Sequence, residues 1–123
     1  MKRDMDLIRD ILIAIEARES DIVNGLKIDG YLSEDVAYNC SLLYDAGFVK
    51  AYKGLYASGK LYSFIVGSLT SSCTEFLEQI RSDTVWNKTK EVIVKKGLPP
   101  ALDVIKTVVT SIVEGMVKGA IGL

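Results

Sequence analysis

The sequence predicts a mainly α-helical domain with a small antiparallel β-hairpin, which is an α+β fold. Apolar residues recur at three- and four-residue spacing in several segments, as expected for helices that bury one face. Two stretches rich in aromatic and β-branched residues flank the turn-forming residues 57–60, as expected for a hairpin. A length of 123 residues, of which 49% are hydrophobic and 25% charged, fits an ordinary globular domain that buries a real core.

The first predicted helix runs from about Asp4 to Arg18, because its apolar residues form a single stripe: Ile8, Ile11, Leu12 and Ile15. Residues 20–30 have turn composition around Asn24-Gly25 and Asp29-Gly30. Between these turns Leu26-Lys27-Ile28 alternates like a very short strand, which could pair with the hairpin. The sequence therefore leaves open a two-stranded or a three-stranded sheet.

A second helix is predicted from Ser33 to the residue before Gly47. Ser33 is a favourable N-cap, and Gly47 suits the left-handed position just past a helix, from which Phe48 can pack back on Leu43. The predicted strands of the hairpin follow, at residues 48–53 and 61–66. Both ends of this helix are thus specified locally.

Three more helices are predicted after the hairpin. The third opens at Leu69-Thr70 and ends near Asp83, and the fourth spans about Thr84–Lys96 before Gly97 and two prolines stop it. Pro100 suits the first turn of the fifth helix, which reaches Ile121. A narrow polar stripe runs along the fifth helix and disfavours a membrane span: Asp103, Lys106, Thr110, Glu114 and Lys118. The apolar face of this helix is therefore expected to pack on the core or in a homodimer through residues 100–121.

The helix at 33–46 followed by an aromatic, basic hairpin resembles the recognition helix and wing of a winged helix-turn-helix domain. We expect residues 1–97 to form this winged-helix-like domain and residues 98–123 to add a C-terminal apolar helix. The predicted fold is therefore a winged helix-turn-helix-like domain with two extra C-terminal helices.

The chain also resembles a family of small uncharacterised bacterial and prophage proteins, a domain of unknown function. The resemblance rests on blocks that occur in the family's order: Met1-Lys-Arg-Asp-Met-Asp-Leu-Ile-Arg9, Gly30-Tyr31, Ser33-Glu34, Val36-Ala37-Tyr38, Leu42-Leu43, Ala46-Gly47, Leu69-Thr70, Glu75-Phe76-Leu77, Ile80-Arg81 and Asp83-Thr84-Val85-Trp86-Asn87-Lys88. Where members of this family usually carry Trp-x-Gly-His, this chain has Ser71-Ser72-Cys73-Thr74. The resemblance implies a winged-helix-like fold in a bacterial or mobile-element setting and brings no activity or catalytic residue.

The composition excludes most catalytic designs. The chain has no histidine, which removes histidine-dependent triads and metal sites, and its glycines lack the spacing of phosphate-binding loops. Cys40 and Cys73 both fall on apolar helix faces and are expected to be buried free thiols. We therefore expect a non-enzymatic protein of the reducing cytoplasm that needs no cofactor and no metal; acids near the amino terminus also argue against a signal peptide.

A first functional hypothesis is a DNA-associated regulatory protein that binds double-stranded DNA. The hairpin region 47–69 carries three lysines and no acid, so Lys50, Lys53 and Lys60 are candidate phosphate contacts. On the preceding helix, Tyr38, Asn39 and Ser41 are candidate base contacts. The same helix opposes this hypothesis, because residues 33–46 contain only acidic charges.

The alternative is a protein-interaction module that binds a host or phage factor. In that case Tyr38 and Leu42 form an exposed apolar centre, with an acidic rim of Glu34, Asp35 and Asp45. A third possibility is that helix and hairpin form an ordinary solvated surface. The DNA-associated regulatory protein of a bacterium or prophage is the leading hypothesis, because the family resemblance and the winged-helix-like fold favour it over the charge of the helix.

Overall fold

The computed structural model describes residues 3–18 and 20–120, and it confirms a mainly helical α+β fold. The elements, in chain order, are α1 Met5–Glu16, β1 Ile22–Asn24, α2 Ser33–Asp45, β2 Tyr52–Ala57, β3 Lys60–Gly67, α3 Ser71–Ile80, α4 Asp83–Lys95 and α5 Leu102–Ala120. They fall into two compact units, Met1–Thr74 and Glu75–Leu123. The predicted division at residue 97 stays a prediction.

Helix α1 begins where an acidic side chain can cap it. The Asp4 carboxylate accepts the Leu7 N–H at 3.0 Å, which satisfies one of the amide groups that the first turn leaves unbonded. The predicted apolar stripe is confirmed, because Ile8, Ile11, Leu12 and Ile15 are all buried, together with Leu7. This stripe packs α1 against α2.

The three strands form one antiparallel sheet in the order β1-β3-β2. The third strand is Ile22–Asn24, so its predicted position at residues 26–28 is wrong. Val23 is the buried member of β1 and pairs with Val66, and Gly25 then adopts a positive φ of 65° that turns the chain away. Leu26 is buried but is not part of a strand. Its apolar character, which suggested a strand, therefore reflects packing in the core.

Helix α2 ends as predicted and begins differently. At its C-terminus Gly47 has φ 78°, and the Phe48 N–H donates to the Leu43 oxygen at 2.9 Å, as in a Schellman motif. At its N-terminus the prediction that Ser33 caps the helix is wrong: Leu32 occupies the N-cap position in extended conformation and Ser33 is the first helical residue. No side chain caps this end.

The first strand of the hairpin lies later in the chain than predicted, whereas the predicted turn and second strand are confirmed. Phe48 and Val49 are buried as the chain leaves α2, and Val49 makes only an isolated bridge with Leu69, so β2 does not begin until Tyr52. Ser58 and Gly59 form the two-residue turn with φ of 54° and 77°. Two positive values in succession are what a type I′ hairpin turn requires.

The second unit contains most of α3 and all of α4 and α5. The Ser82 hydroxyl caps α4 by accepting the Val85 N–H at 3.3 Å, and Gly97 ends it with φ 62°. Helix α5 packs on α4 and buries Leu102, Ile105 and Val109. Pro100 precedes α5 instead of lying in its first turn, which corrects that prediction, and the predicted end at Ile121 lies outside the described residues.

Two expectations about α5 have different outcomes. No helix among the described residues is long and apolar enough to cross a membrane. The homodimer through residues 100–121 stays a prediction; Met116 and Val117, on the last turns of α5, are exposed.

Candidate functional site

A cleft of about 470 Å³ lies between α2 and the hairpin, within the first unit. The N-terminal half of α2 forms one wall, and β2, the turn and the start of β3 form the other. The lining residues are Glu34, Ala37, Tyr38, Ser41, Tyr52, Tyr56, Gly59, Lys60 and Leu61. We call this the tyrosine cleft, since three of its residues are tyrosines.

The helical wall of the tyrosine cleft follows from helix geometry. Residues three and four apart lie on the same face, so Glu34, Ala37, Tyr38 and Ser41 form one row along α2. Ala37 is buried and Tyr38 is half-buried. The Ser41 hydroxyl donates to the Tyr38 carbonyl oxygen at 2.6 Å, which fixes its direction.

The hairpin wall depends on strand alternation and on a β-bulge. Tyr52 pairs with the buried Val66, so it faces the inner side of the sheet, and Tyr56 lies four residues further along the same strand. The register then shifts after Leu55, where Tyr62 is left as the extra residue and Leu61 pairs with Tyr56. The bulge therefore brings Leu61 to the cleft side. Without it, strict alternation of side chains from Phe64 would place Leu61 on the opposite face of the sheet.

Gly54 allows the Tyr56 ring to lie against the strand. A Cβ atom built on Gly54 would lie 2.9 Å from Cε2 and 3.2 Å from the hydroxyl of Tyr56, and 3.3 Å from Leu61. Both distances to Tyr56 are shorter than ordinary contacts, so the ring occupies space that a larger residue would fill. The glycine thus shapes this wall of the cleft.

The deep end of the cleft is poorly solvated. Burial raises the pKa of the Tyr52 phenol, and Tyr56 and Cys40 add smaller effects in the same direction. The ring centroids of Tyr52 and Phe64 are 6.1 Å apart, which places Tyr52 against the core. Glu34 and Lys60 supply the charges in the lining. The cleft is therefore an aromatic surface with hydroxyl groups, one carboxylate and one ammonium.

Four residues of the two predicted sites line the tyrosine cleft: Glu34, Tyr38, Ser41 and Lys60. One predicted exposure is wrong. Asn39, a candidate base contact, is fully buried: its Oδ1 accepts the Asp4 N–H at 3.1 Å and its Nδ2 donates to the Asp35 oxygen at 2.9 Å. Asn39 therefore joins the start of α1 to α2 and is not available to a base edge.

The remaining predicted site residues lie outside the cleft lining. Lys50 and Lys53 are exposed, and Lys53 pairs with Ile65, which places it on the sheet face opposite the cleft. Asp45 is exposed, whereas Asp35 and Leu42 are half-buried, so Leu42 is not the fully exposed centre of the predicted apolar patch. Contacts of these residues with DNA or with a protein stay predictions.

Sequence reasoning did not bring together the two walls of the cleft. It described the hairpin as aromatic and basic, and it did not select Tyr52, Tyr56, Ala37 or Leu61. The spacing Tyr52-x-Gly54-x-Tyr56 was an available signal, because alternate residues of a strand share a face and a central glycine leaves room between them. The bulge that places Leu61 has no comparable signal.

Both cysteines are buried thiols that form no disulfide among the described residues, as predicted. Burial raises the pKa of the Cys40 thiol to about 12. Within residues 3–18 and 20–120, no group of three or more histidine, cysteine, aspartate or glutamate side chains could hold a metal ion.

Comparisons with known proteins agree with the resemblance inferred from the sequence. A family model described as "Hypothetical protein (DUF2513)" matches residues 2–99. A Haemophilus influenzae protein named "Uncharacterized protein" is 41% identical over 119 residues, which cover 94% of this chain and 98% of that protein. No solved structure matches significantly. The chain therefore belongs to the family described as Hypothetical protein (DUF2513).

Proposed function

We propose that this protein is a non-enzymatic protein-interaction module whose tyrosine cleft receives an aromatic or aliphatic side chain of a partner protein. One observation carries the proposal: a helix and a hairpin of the same unit enclose about 470 Å³ lined by three tyrosines. Side-chain and ligand pockets typically enclose about 300–1,000 Å³, so the space is large enough for such a group. Tyrosine is also among the residues that contribute most at protein interfaces.

The charge of the helical wall favours a protein over DNA. Residues 33–45 of α2 contain Glu34, Asp35 and Asp45 and no cation. These carboxylates would repel a phosphate backbone, whereas a protein partner can present lysine or arginine to them. The burial of Asn39 also removes one of the three side chains that were expected to contact bases.

The proposal is tested by photo-cross-linking from position 56 in the wild-type and Tyr38→Ala backgrounds, with position 44 as the matched control. Tyr44 is an exposed tyrosine on α2 that does not line the cleft. A photo-reactive phenylalanine analogue placed at position 56 or 44 identifies cross-linked proteins by mass spectrometry. We expect an adduct specific to position 56 that is lost in the Tyr38→Ala background. Equal cross-linking from positions 56 and 44 would contradict a role for the cleft.

A second candidate function is a DNA-associated regulator of a bacterium or prophage with a winged-helix domain. It is favoured by the exposure of Lys50, Lys53 and Lys60 on a segment that has no acid, and by the order α1, β1, α2, β2, β3. Fluorescence anisotropy with duplex DNA over a salt series tests it, because phosphate contacts give a steep salt dependence. Binding that persists in the double variant Lys50→Glu, Lys53→Glu would refute the assignment of these lysines.

Buried thiols that form no disulfide among the described residues fit a reducing compartment, so we also propose a cytoplasmic location.

A further inference from the structure

We propose that the free edge of β2 binds an extended segment of the partner protein as a fourth β-strand, and that one side chain of this segment enters the tyrosine cleft. The inference rests on the proposed function and adds to it the conformation and chemistry of the partner. It combines two features of the same strand: its unpaired edge and the pocket beside it.

Strand β2 is at the edge of the sheet. In the order β1-β3-β2, its only neighbour among the described strands is β3. An edge strand presents a row of backbone N–H and C=O groups to solvent, and these groups can pair with another chain. In several peptide-binding domains such pairing supplies affinity, and pockets for alternate side chains supply specificity.

The hydrogen bonds of β3 show which groups of β2 point outward. The Gly25 N–H donates to the Phe64 oxygen at 2.8 Å, so the peptide groups of Phe64 face away from β2. Because the direction of the backbone N–H and C=O groups alternates along a strand, these groups of Ile65 face β2 and pair with Lys53. The N–H and C=O groups of Tyr52 and Gly54 are therefore the ones directed at the free edge.

The side chains of those same two residues are on the cleft side of the sheet. Tyr52 pairs with Val66 and Gly54 with Phe64, and both partners are buried. A residue added opposite Gly54 would point to the same face, because directly paired residues of antiparallel strands share a face. The Tyr56 ring lies over Gly54, so an added side chain would pack beside that ring. The added residue would therefore lie next to Tyr52 and Tyr56.

Strand β2 is only lightly protected against strand addition. Its sequence from Tyr52 to Ala57 contains no proline, and its one charged residue, Lys53, is on the face opposite the cleft. The β-bulge, another common protective device, leaves its extra residue in β3. Strand β2 therefore keeps all of its backbone N–H groups for pairing, with Lys53 as its one protective charge.

These features define the chemistry of the partner segment. It is extended and rich in β-branched residues, and it carries an aromatic or long aliphatic side chain for the cleft. Glu34 lies in the lining on the helical wall, so a lysine or arginine two residues from the inserted side chain, on the same face, adds a complementary charge.

The test uses a phage-displayed library of random peptides as the probe and the full chain as the target. Selected peptides are first measured against wild type, Tyr56→Ala and the control Tyr44→Ala. We expect at least a tenfold loss of affinity in Tyr56→Ala only. Failure to obtain any peptide with this dependence overturns the proposed function and the inference together.

A cleft-dependent peptide then tests strand addition separately. We expect amide hydrogen exchange at Tyr52 and Gly54 to slow at least tenfold in the complex, while Lys53, already bonded to β3, changes little. N-methylation along the peptide should abolish binding at every second residue. Cleft-dependent binding with unchanged exchange at Tyr52 and Gly54 and no alternation would overturn strand addition and leave the proposed function standing.

Discussion

Replacing Asn39 with alanine is expected to destabilise the protein by about 2–3 kcal/mol. Its amide joins two segments that are 35 residues apart in sequence, by accepting from Asp4 N–H and donating to Asp35 O. The variant leaves the part-buried Asp4 N–H without this partner, which costs up to about 1–3 kcal/mol, the range for a buried unsatisfied group. The Asp35 carbonyl lies inside α2 and keeps its helical hydrogen bond, so it contributes less. Lost packing at a fully buried position adds the remainder.

Urea denaturation followed by far-UV circular dichroism measures this change. With a typical slope of about 1–3 kcal/mol per molar urea, the midpoint should fall by about 1 M or more. The control is Asn24→Ala, an exposed asparagine whose Oδ1 accepts the Ser63 hydroxyl at 3.3 Å, and we expect about 0.5 kcal/mol or less. If Asn39→Ala unfolds at the same midpoint as the control, Asn39 does not hold α1 to α2 as the geometry indicates.

Two other predictions concern the sheet and the core. Gly67→Ala should destabilise the protein by about 1–3 kcal/mol, because its Cβ would lie 2.8 Å from the backbone nitrogen of Ala51. Gly54→Ala should cost less, since the side chain it meets, Tyr56, is exposed and can rotate; comparable urea midpoints for the two variants would contradict this difference. Burial raises the pKa of Cys40 from 9.0 to about 12, so the folded protein keeps a proton that the unfolded chain loses. Its contribution to stability is complete below pH 9.0 and declines as the pH rises towards 12, by at most about 1.4 kcal/mol per pH unit. Urea titrations of wild type and Cys40→Ala from neutral to alkaline pH check this: parallel curves would refute it.

Much of the fold could be predicted because its signals are local. The stripe of Ile8, Ile11, Leu12 and Ile15 identified α1, and Gly47 identified the end of α2, since each depends on neighbours in sequence. The position of β1 was not local: residues 22–24 form a strand because Val23 meets Val66, far along the chain. Three residues pairing over such a distance leave little trace in the sequence.

The site was predicted only in part, for a related reason. Glu34, Tyr38 and Ser41 were identified from helical spacing, yet their neighbour Asn39 was assigned to the surface as a polar residue of an amphipathic helix. Its burial depends on Asp4, an N-cap 35 residues earlier that supplies a donor for the amide. Polar character alone does not indicate which side chains will find such partners.

The extra residue at Tyr62 ties the shape of the cleft to the β-bulge at the hairpin tip. Between Phe64 and the turn, β3 presents Leu61 to the cleft only because one residue is out of step with β2. Removing the extra residue would restore strict alternation and leave Leu61 opposite Tyr56 on the cleft side, whereas keeping it without a bulge would turn Leu61 to the opposite face. Among related proteins, hairpins that keep this cleft should therefore either have both the extra residue and the bulge or lack both.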